Sequence, residues 1–286
     1  MKISCVIENT AKFSSEFYAE HGLSILIEYK SDKVLFDTGK THEVLKKNLT
    51  LLNGLEGLKS VVLSHGHKDH TGGLSYIMNN SSADIFMHEK AILPKYVLRN
   101  DKMEFIGTSE VLKTKHNHVL KEDQKNKSET KVELISKTTE IAPNIFIFSE
   151  ISLDNDFEEI DPSFYIKDHG KFFKDNFEDE VVLVIKTDQG LMILSGCAHR
   201  GIVNTVSSVV EFFNNDDVYA VIGGTHLVSA SEDIIKKTIK ELKKYDPKYL
   251  ILGHCNGLDA MCIFKNVFES KFEALESGKE IIISME

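Results

Sequence analysis

The sequence has few prolines and few cysteines, and each shortage excludes a class of protein. Only four of the 286 residues are proline, and no Pro- or Gly-rich linker divides the chain, so we predict one domain over residues 1–286. The four cysteines are scattered and form no CxxC pair, which argues against a zinc knuckle and against a disulfide framework. Such cysteines suit a reducing compartment, and we expect a cytoplasmic protein.

Long hydrophobic runs and an excess of positive charge are also missing. No stretch approaches the roughly 20 apolar residues that a membrane span needs, and the first apolar run, residues 3–7, is too short for a signal peptide. The 34 Lys and Arg residues are outnumbered by 44 Asp and Glu residues, which gives a net charge of −10. Because such a surface repels phosphate backbones, neither a membrane nor a nucleic acid is an expected partner.

The chain carries short apolar runs separated by turn residues, followed by segments with helical periodicity. In the first half, strands are predicted over residues 3–7, 23–28, 34–37, 60–64, 84–87, 131–135 and 145–148. In the second half, predicted strands at 181–186, 191–194, 218–222, 249–252 and 280–284 alternate with helices near 203–213, 232–244 and 260–275. The segments near 111–130 and 151–179 have no clean period and are predicted to be irregular. This pattern indicates an α/β fold.

One short segment concentrates four potential metal ligands directly after a buried strand. His65, His67, Asp69 and His70 follow the apolar run 61–63, and glycines at positions 66, 72 and 73 allow the chain to bend. Imidazole and carboxylate groups suit zinc, iron or manganese. The competing interpretation, a solvated loop that happens to carry three histidines, fits poorly because the whole chain has only 12 His. The segment therefore predicts a metal site.

The spacing HxHxDH after a strand resembles the signature of the metallo-β-lactamase superfamily. The segment 35–39, which contains Asp37, is similar to the family strand that precedes the site. The resemblance implies a four-layer αβ/βα sandwich and a site for two divalent metal ions, with zinc expected and manganese or iron as alternatives. Asp37 is expected to orient the ligands from behind, and a carboxylate in an ordinary turn is the other interpretation.

The resemblance also implies ligands at the ends of later strands. Cys197 and His199 stand where the family usually carries a Gly-Asp whose carboxylate bridges the metals. We favour His199 as the ligand and Cys197 as the next choice, with a buried inert thiol as the alternative for Cys197. His254 is the expected last ligand. The complete predicted set is His65, His67, Asp69, His70, Cys197, His199 and His254.

Three residues are predicted to take part in catalysis: Asp69, which is also a predicted ligand, His226 and Glu150. His226 follows a strand and two glycines, and is expected to contact substrate or transfer a proton. A packed structural histidine is the alternative for this position. Glu150 follows the predicted strand 145–148, at the position comparable to the family's remaining histidine, and is a candidate oxygen ligand or base. A lone Glu after a strand, however, usually faces solvent.

The leading functional prediction is a metal-dependent hydrolase in which metal-activated water attacks a phosphoester or related anionic small molecule. Polar residues near the motifs favour an anionic substrate, namely His226, Arg200, Asn204 and Asn256. The segments SGCAHRGIVN, GGTHL and GHCNG together resemble one subgroup of the superfamily, the dihydropterin–ribofuranosylaminobenzene phosphate synthases. That resemblance implies a pterin-linked transferase as the alternative, in which a diphosphate leaves as an aromatic nucleophile attacks. Iron-dependent oxygen chemistry, which the same fold supports, is a further alternative.

Overall fold

The computed structural model describes residues 1–108, 130–214 and 217–283. Its strands are β1 (Lys2–Ile7), β2 (Ser24–Tyr29), β3 (Asp32–Phe36), β4 (Ser60–Leu63), β5 (Asp84–His88), β6 (Lys95–Arg99), β7 (Lys102–Phe105), β8 (Val132–Ile135), β9 (Thr139–Ala142), β10 (Ile145–Phe148), β11 (Phe164–Asp168), β12 (Lys171–Lys174), β13 (Val182–Thr187), β14 (Gly190–Ser195), β15 (Val218–Gly223), β16 (Tyr249–Leu252), β17 (Phe272–Ala274) and β18 (Glu280–Ile282). Its α-helices are α1 (His42–Leu51), α2 (Lys68–Thr71), α3 (Leu74–Asn80), α4 (Ile202–Phe212), α5 (Glu232–Leu242) and α6 (Leu258–Phe268). Within these ranges, no helix has the length and apolar character to cross a bilayer.

Two seven-stranded sheets form the centre of the fold. The first has the order β18-β1-β2-β3-β4-β5-β8, and the second has the order β17-β16-β15-β14-β13-β10-β9. Strands β3, β4, β5 and β8 run parallel to one another, as do β14, β15, β16 and β17. Because the carboxyl ends of parallel strands meet at one edge of a sheet, the loops after them are brought together.

Side chains from both sheets fill the space between them, and helices cover the two outer faces. In β4, Val62 faces the space between the sheets, whereas Val61 and Leu63 face α1 and α3. Strands buried on both faces read as continuous apolar runs for this reason. On the other side, Val206 of α4 and Ile239 of α5 pack on the second sheet. The predicted four-layer αβ/βα sandwich is confirmed.

Two local predictions are corrected by long-range pairing. The segment 151–179, predicted to be irregular, contains the hairpin β11–β12, and β11 pairs with β6 in a third sheet with the order β12-β11-β6-β7. The helix predicted near 260–275 ends at Phe268, where Glu269 adopts a left-handed backbone with φ of 51°, and β17 follows. The other irregular segment, 111–130, lies outside the described residues except for its last position.

Candidate metal centre

The histidine loop, residues 65–70, follows β4 and continues into α2, which contains Asp69 and His70, and it is buried against the chain that follows β5. His65 and His70 have no exposed surface, and His67 is 5% exposed. A Cβ atom at Gly66 would overlap the carbonyl oxygen of Ala91, so only glycine permits this close approach. The loop therefore holds its histidines inside the protein.

His65, His67 and His199 form a first group of ligand atoms. One ring nitrogen from each lies within 4.8 Å of the others. Nε2 of His65, Nε2 of His67 and both ring nitrogens of His199 are buried and have no hydrogen-bond partner among the described residues. Since buried polar atoms are nearly always paired, and since imidazole nitrogens are common zinc ligands, this donor set fits a divalent cation. The ring of His199 is fixed by stacking on Phe177, with 3.9 Å between centroids.

Asp69, His70 and His254 form a second group beside the first. His70 Nε2 lies 3.1 Å from His254 Nε2, and Asp69 Oδ2 lies 3.8 Å from the first nitrogen and 3.6 Å from the second. Ligands at bond lengths of about 2.0–2.1 Å around a tetrahedral ion stand roughly 3.3 Å apart. The three atoms are therefore spaced for a common cation.

Asp37 orients the second group from behind, as the sequence predicts. Its Oδ2 lies 2.6 Å from Nδ1 of His70 and accepts a hydrogen bond of 2.7 Å from Ser64 Oγ. Ser64 Oγ in turn lies 2.9 Å from Nδ1 of His65. Because Nδ1 is occupied in both rings, Nε2 is the nitrogen that faces the other members of the two groups, which together form the histidine cluster. One buried carboxylate thus fixes a ligand in each group.

Replacing Asp37 by asparagine should lower the affinity for a divalent metal about 10- to 100-fold, because the partner of His70 loses its charge. Asparagine tolerates the left-handed backbone at this position, where φ is 62°, so the loop geometry should persist. Competition with a chromophoric chelator measures the affinity. The matched control is Asp101→Asn, the same change at an exposed left-handed turn with φ of 59°. Equal affinities for the two variants would contradict the orienting role of Asp37.

Burial keeps most of the candidate ligand histidines neutral, which is the form that binds a metal. Burial lowers the pKa of His67 to about 3 and the pKa of His254 to about 4. His70 differs, since burial opposes its charge but Asp37 and Asp69 outweigh burial and raise the pKa of His70 to about 9. A cation bound at His70 would therefore displace a proton.

Cys197 lies between the two groups, and Cys255 lies next to it. Cys197 Sγ is 3.2 Å from Nε2 of His70, and burial raises the pKa of the Cys197 thiol well above its ordinary value. Cys255 Sγ lies 3.5 Å from the carbonyl oxygen of Cys197 and shares a possible ligand group with Cys197 and His254. Cys255 is not among the predicted ligands, although its position directly after His254 was a usable signal.

Of the two remaining catalytic candidates, the structure brings only His226 to the centre. The ring of His226 lies 4.2 Å from that of His199, and its Nδ1 is buried without a partner in the described part of the chain. Burial disfavours the charged ring, but contacts with Cys255 and nearby carboxylates outweigh this and raise the pKa of His226. Glu150 is exposed and hydrogen-bonds to the hydroxyl and backbone N of Thr138. The prediction for Glu150 is corrected, because its strand end turns the carboxylate toward solvent.

A buried ion cluster that sequence analysis missed supports the histidine loop. Lys95 Nζ donates to Asp179 and, at 2.8 Å, to Asp175, and all three side chains are buried. Asp179 Oδ2 accepts a hydrogen bond of 2.8 Å from the backbone N of Gly66. Burial opposes the charge of Lys95, but the two carboxylates raise the pKa of Lys95. No local pattern signals this cluster, because Lys95 lies 80 residues before Asp175 and 84 residues before Asp179 in the chain.

Residues near the chain start also contact the second group. His21 Nε2 lies 3.1 Å from Asp69 Oδ2, and the His21 ring stacks on His254 at 5.2 Å between centroids. Glu8 Oε1 accepts a hydrogen bond of 2.7 Å from the backbone N of His254. Neither residue belongs to a recognisable motif, so only the folded chain reveals their positions.

A cavity of about 720 Å³ opens from the cluster to the surface. Its lining includes the apolar residues Val97, Leu98, Phe105, Ile106 and Phe164 and the exposed cations Lys40, Lys68 and Arg99. Of the polar residues predicted for the rim, Arg200 and Asn204 instead bind the backbone of the segment 151–176. Asn256 accepts a hydrogen bond from the backbone N of Thr225.

Comparison with known proteins agrees with this geometry. The family described as the metallo-beta-lactamase superfamily matches residues 18–121. A curated protein of Methanocaldococcus jannaschii is 37% identical over 291 residues, which cover 98% of this chain and 96% of that protein. The chain belongs to the metallo-β-lactamase superfamily. The relative is named 7,8-dihydropterin-6-methyl-4-(beta-D-ribofuranosyl)-aminobenzene-5'-phosphate synthase.

Two solved structures share the fold of this chain. The crystal structure of Tm1679, described as a metal-dependent hydrolase of the beta-lactamase superfamily, matches with a TM-score of 0.82 and 32% identity, covering 99% of each chain. Zn(2+)-bound PqqB from Methylobacterium extorquens matches with a TM-score of 0.58 and 11% identity, covering 99% of this chain and all of that one. At that identity the second likeness shows the fold alone.

The prediction of a hydrolase acting on a phosphoester is wrong, because the curated relative that aligns with nearly the whole chain is named a synthase. Tm1679 is described as a hydrolase, but its identity is lower, at 32% against 37%. The motifs that separate the subgroup from the superfamily lie in the second half of the chain, beyond the metal loop. The reaction is therefore not fixed by the HxHxDH segment that led to the hydrolase prediction.

Proposed function

We propose that this protein is a pterin-linked transferase that joins a dihydropterin methylene group to a phosphorylated arylamine. The observation that carries the proposal is the 720 Å³ cavity, whose lining combines apolar side chains, exposed cations and the histidines of the cluster. An arylamine packs on apolar side chains, and its phosphate pairs with Lys and Arg. The synthase name of the relative supports the same reaction class.

We assign two divalent cations, with zinc favoured, to the two ligand groups. His65, His67 and His199 would hold one cation, and Asp69, His70 and His254 the other, with Cys197 between them. When bound, such ions neutralise the negative charge that develops on a leaving diphosphate. The nitrogen-rich donor set favours zinc over magnesium or calcium, which prefer oxygen ligands.

The chain's own residues would bind and orient the two substrates. In the proposed reaction the C–O bond between the pterin methylene and its diphosphate breaks, a C–N bond to the arylamine forms, and the amine loses one proton. Nδ1 of His226 is the proposed proton acceptor, since it is buried beside the cluster and has no other partner among the described residues. Phe164, whose ring lies 5.3 Å from that of His67, would pack on the arylamine and exclude water.

Mass spectrometry of the products tests the proposal directly. Protein purified without added metal is analysed for zinc, manganese and iron, and is then incubated with a dihydropterin-methyl diphosphate and ribofuranosylaminobenzene phosphate. We expect two equivalents of metal, predominantly zinc, and release of the coupled product with one diphosphate per turnover. Release of hydroxymethyl-dihydropterin without coupling, or oxygen uptake by iron-containing protein, would contradict the proposal.

A further inference from the structure

Two cavities meet at the histidine cluster. The second has a volume of about 560 Å³ and is bordered by the loop after β14, the loop after β15 and the segment before β11. Both cavities are lined by Asp161, His199, His226 and Ser229. A molecule in either cavity would therefore reach the same reactive centre.

The two cavities differ in the sign of the charge that lines them. The first carries Lys40, Lys68 and Arg99, with Asp69 and Asp161 close to the cluster. The second is lined by the carboxylates of Asp156, Glu158, Glu159 and Asp161, with Lys237 as its cation. A phosphate group is attracted to the first cavity and repelled by the second. The second suits an uncharged group that donates hydrogen bonds.

Not all of these carboxylates are available to a ligand. Glu158 accepts hydrogen bonds of 2.9 and 2.8 Å from the backbone N of Val203 and of Asn204, so it caps the start of α4. Asp161 is half-buried, and its Oδ1 accepts a hydrogen bond of 2.8 Å from the backbone N of Ser163. This contact fixes the carboxylate of Asp161 at the junction of the two cavities.

An independent observation indicates a ligand in the second cavity. Thr225 lines this cavity and is 3% exposed, yet its hydroxyl has no hydrogen-bond partner within the described ranges. The backbone N of Thr225 is held by Asn256 Oδ1 at 2.8 Å, so the residue is fixed in place. A buried hydroxyl without a partner is costly, and a polar ligand would satisfy it.

We propose that the second cavity is the pterin subsite, in which Asp161 and Thr225 recognise the aminopyrimidinone edge while the first cavity holds the phosphorylated arylamine. The inference rests on the proposed transferase function. A pterin presents a ring N–H beside an exocyclic NH2, an arrangement that matches the two oxygens of a carboxylate as a guanidinium does. The apolar lining, which includes Phe157 and Leu227, would contact the faces of the bicyclic ring.

This division of the site places the reacting groups at the junction. The pterin methylene would lie beside His199 and His226, which border both cavities. The arylamine would approach from the first cavity, with its phosphate toward the exposed Lys68 and Arg99. The uncharged pterin ring would thus lie in the acidic cavity with its diphosphate at the cluster, and the phosphate of the arylamine would lie in the cationic cavity.

Binding of hydroxymethyl-dihydropterin, measured by fluorescence in the absence of the arylamine, tests the subsite without turnover. Asp161→Asn should weaken this binding about 10- to 100-fold, because a charge-assisted hydrogen bond is lost. The same variant should lose preference for the pterin over the corresponding lumazine, whose oxygen replaces the exocyclic NH2. Thr225→Val should weaken binding about 5-fold. Asp168→Asn, an exposed change in the β11–β12 hairpin, is the matched control and should bind as wild type.

Steady-state kinetics provide the second arm. Asp161→Asn should raise KM for the pterin diphosphate and leave KM for the arylamine phosphate unchanged, whereas Lys68→Gln should do the reverse. Metal content equal to wild type would show that both variants retain the centre.

The outcomes separate the two proposals. Wild-type pterin affinity in Asp161→Asn, or a rise in the arylamine KM alone, would overturn the subsite even if coupling occurs. Pterin binding that depends on Asp161 without any coupled product would overturn the proposed function and support the subsite. Failure of the wild-type protein to bind the pterin would overturn both.

Discussion

Protein with both His65 and His67 replaced by alanine should lose bound metal and show no detectable coupling. Both side chains belong to the first ligand group, and the Nε2 atom of each is buried without a partner among the described residues. Removing two of three nitrogen donors leaves too few ligands to hold a cation. Inductively coupled plasma analysis measures the metal, and product formation measures the activity.

The control for this pair is His42→Ala, which removes an imidazole from the exposed start of α1. That variant should keep wild-type metal content and turnover. Full metal stoichiometry in the double variant would refute the assignment of His65 and His67 as ligands. Circular dichroism should show that the double variant keeps its secondary structure, since the loop is also held by Asp179 and Gly66.

Lys95→Met should destabilise the protein by about 3–5 kcal/mol, because it leaves the carboxylates of Asp175 and Asp179 buried without their cation. All three side chains are almost fully buried in the native protein. Because Asp179 also holds the backbone of Gly66, loosening of the histidine loop should accompany the loss of stability. Urea unfolding of the two proteins under the same metal conditions measures the difference in free energy.

Lys171→Met, at an exposed position of β12, is the control and should change the free energy of unfolding by less than about 0.5 kcal/mol. Adding Asp175→Asn and Asp179→Asn to Lys95→Met should restore part of the stability, since no uncompensated charge then remains buried. If Lys95→Met were as stable as Lys171→Met, the buried ion cluster of Lys95, Asp175 and Asp179 would have no structural role.

Several features of the site follow from local sequence. An apolar run such as 61–63 forms a buried strand, and the polar residues directly after it must lie at the edge of the sheet. The same logic selects His199, His226 and His254, each of which follows a predicted strand. The structure brings all three to the cluster. Glu150 obeys the same rule and fails: β10 ends at the same edge of the sheet as β14, but β13 separates the two strands, and the exposed Glu150 carboxylate bonds Thr138 instead.

Other features depend on contacts between distant segments. The hairpin β11–β12 pairs with β6, about 70 residues earlier, so its sequence alone resembles a loop. Lys95, Glu8 and His21 reach the centre only through the packing of separate elements. The predictions of one domain, a cytoplasmic location and no nucleic-acid partner stay predictions.

The sequence by itself determined the family, the layered α/β fold and most of the candidate metal ligands, since strands, turns and ligand spacing are local properties of the chain. The tertiary structure decided which nitrogen of each ring faces the centre, which carboxylate orients it and how two oppositely charged cavities share one cluster. These depend on side chains far apart in sequence, whose meeting is set by burial and charge pairing rather than by any short pattern.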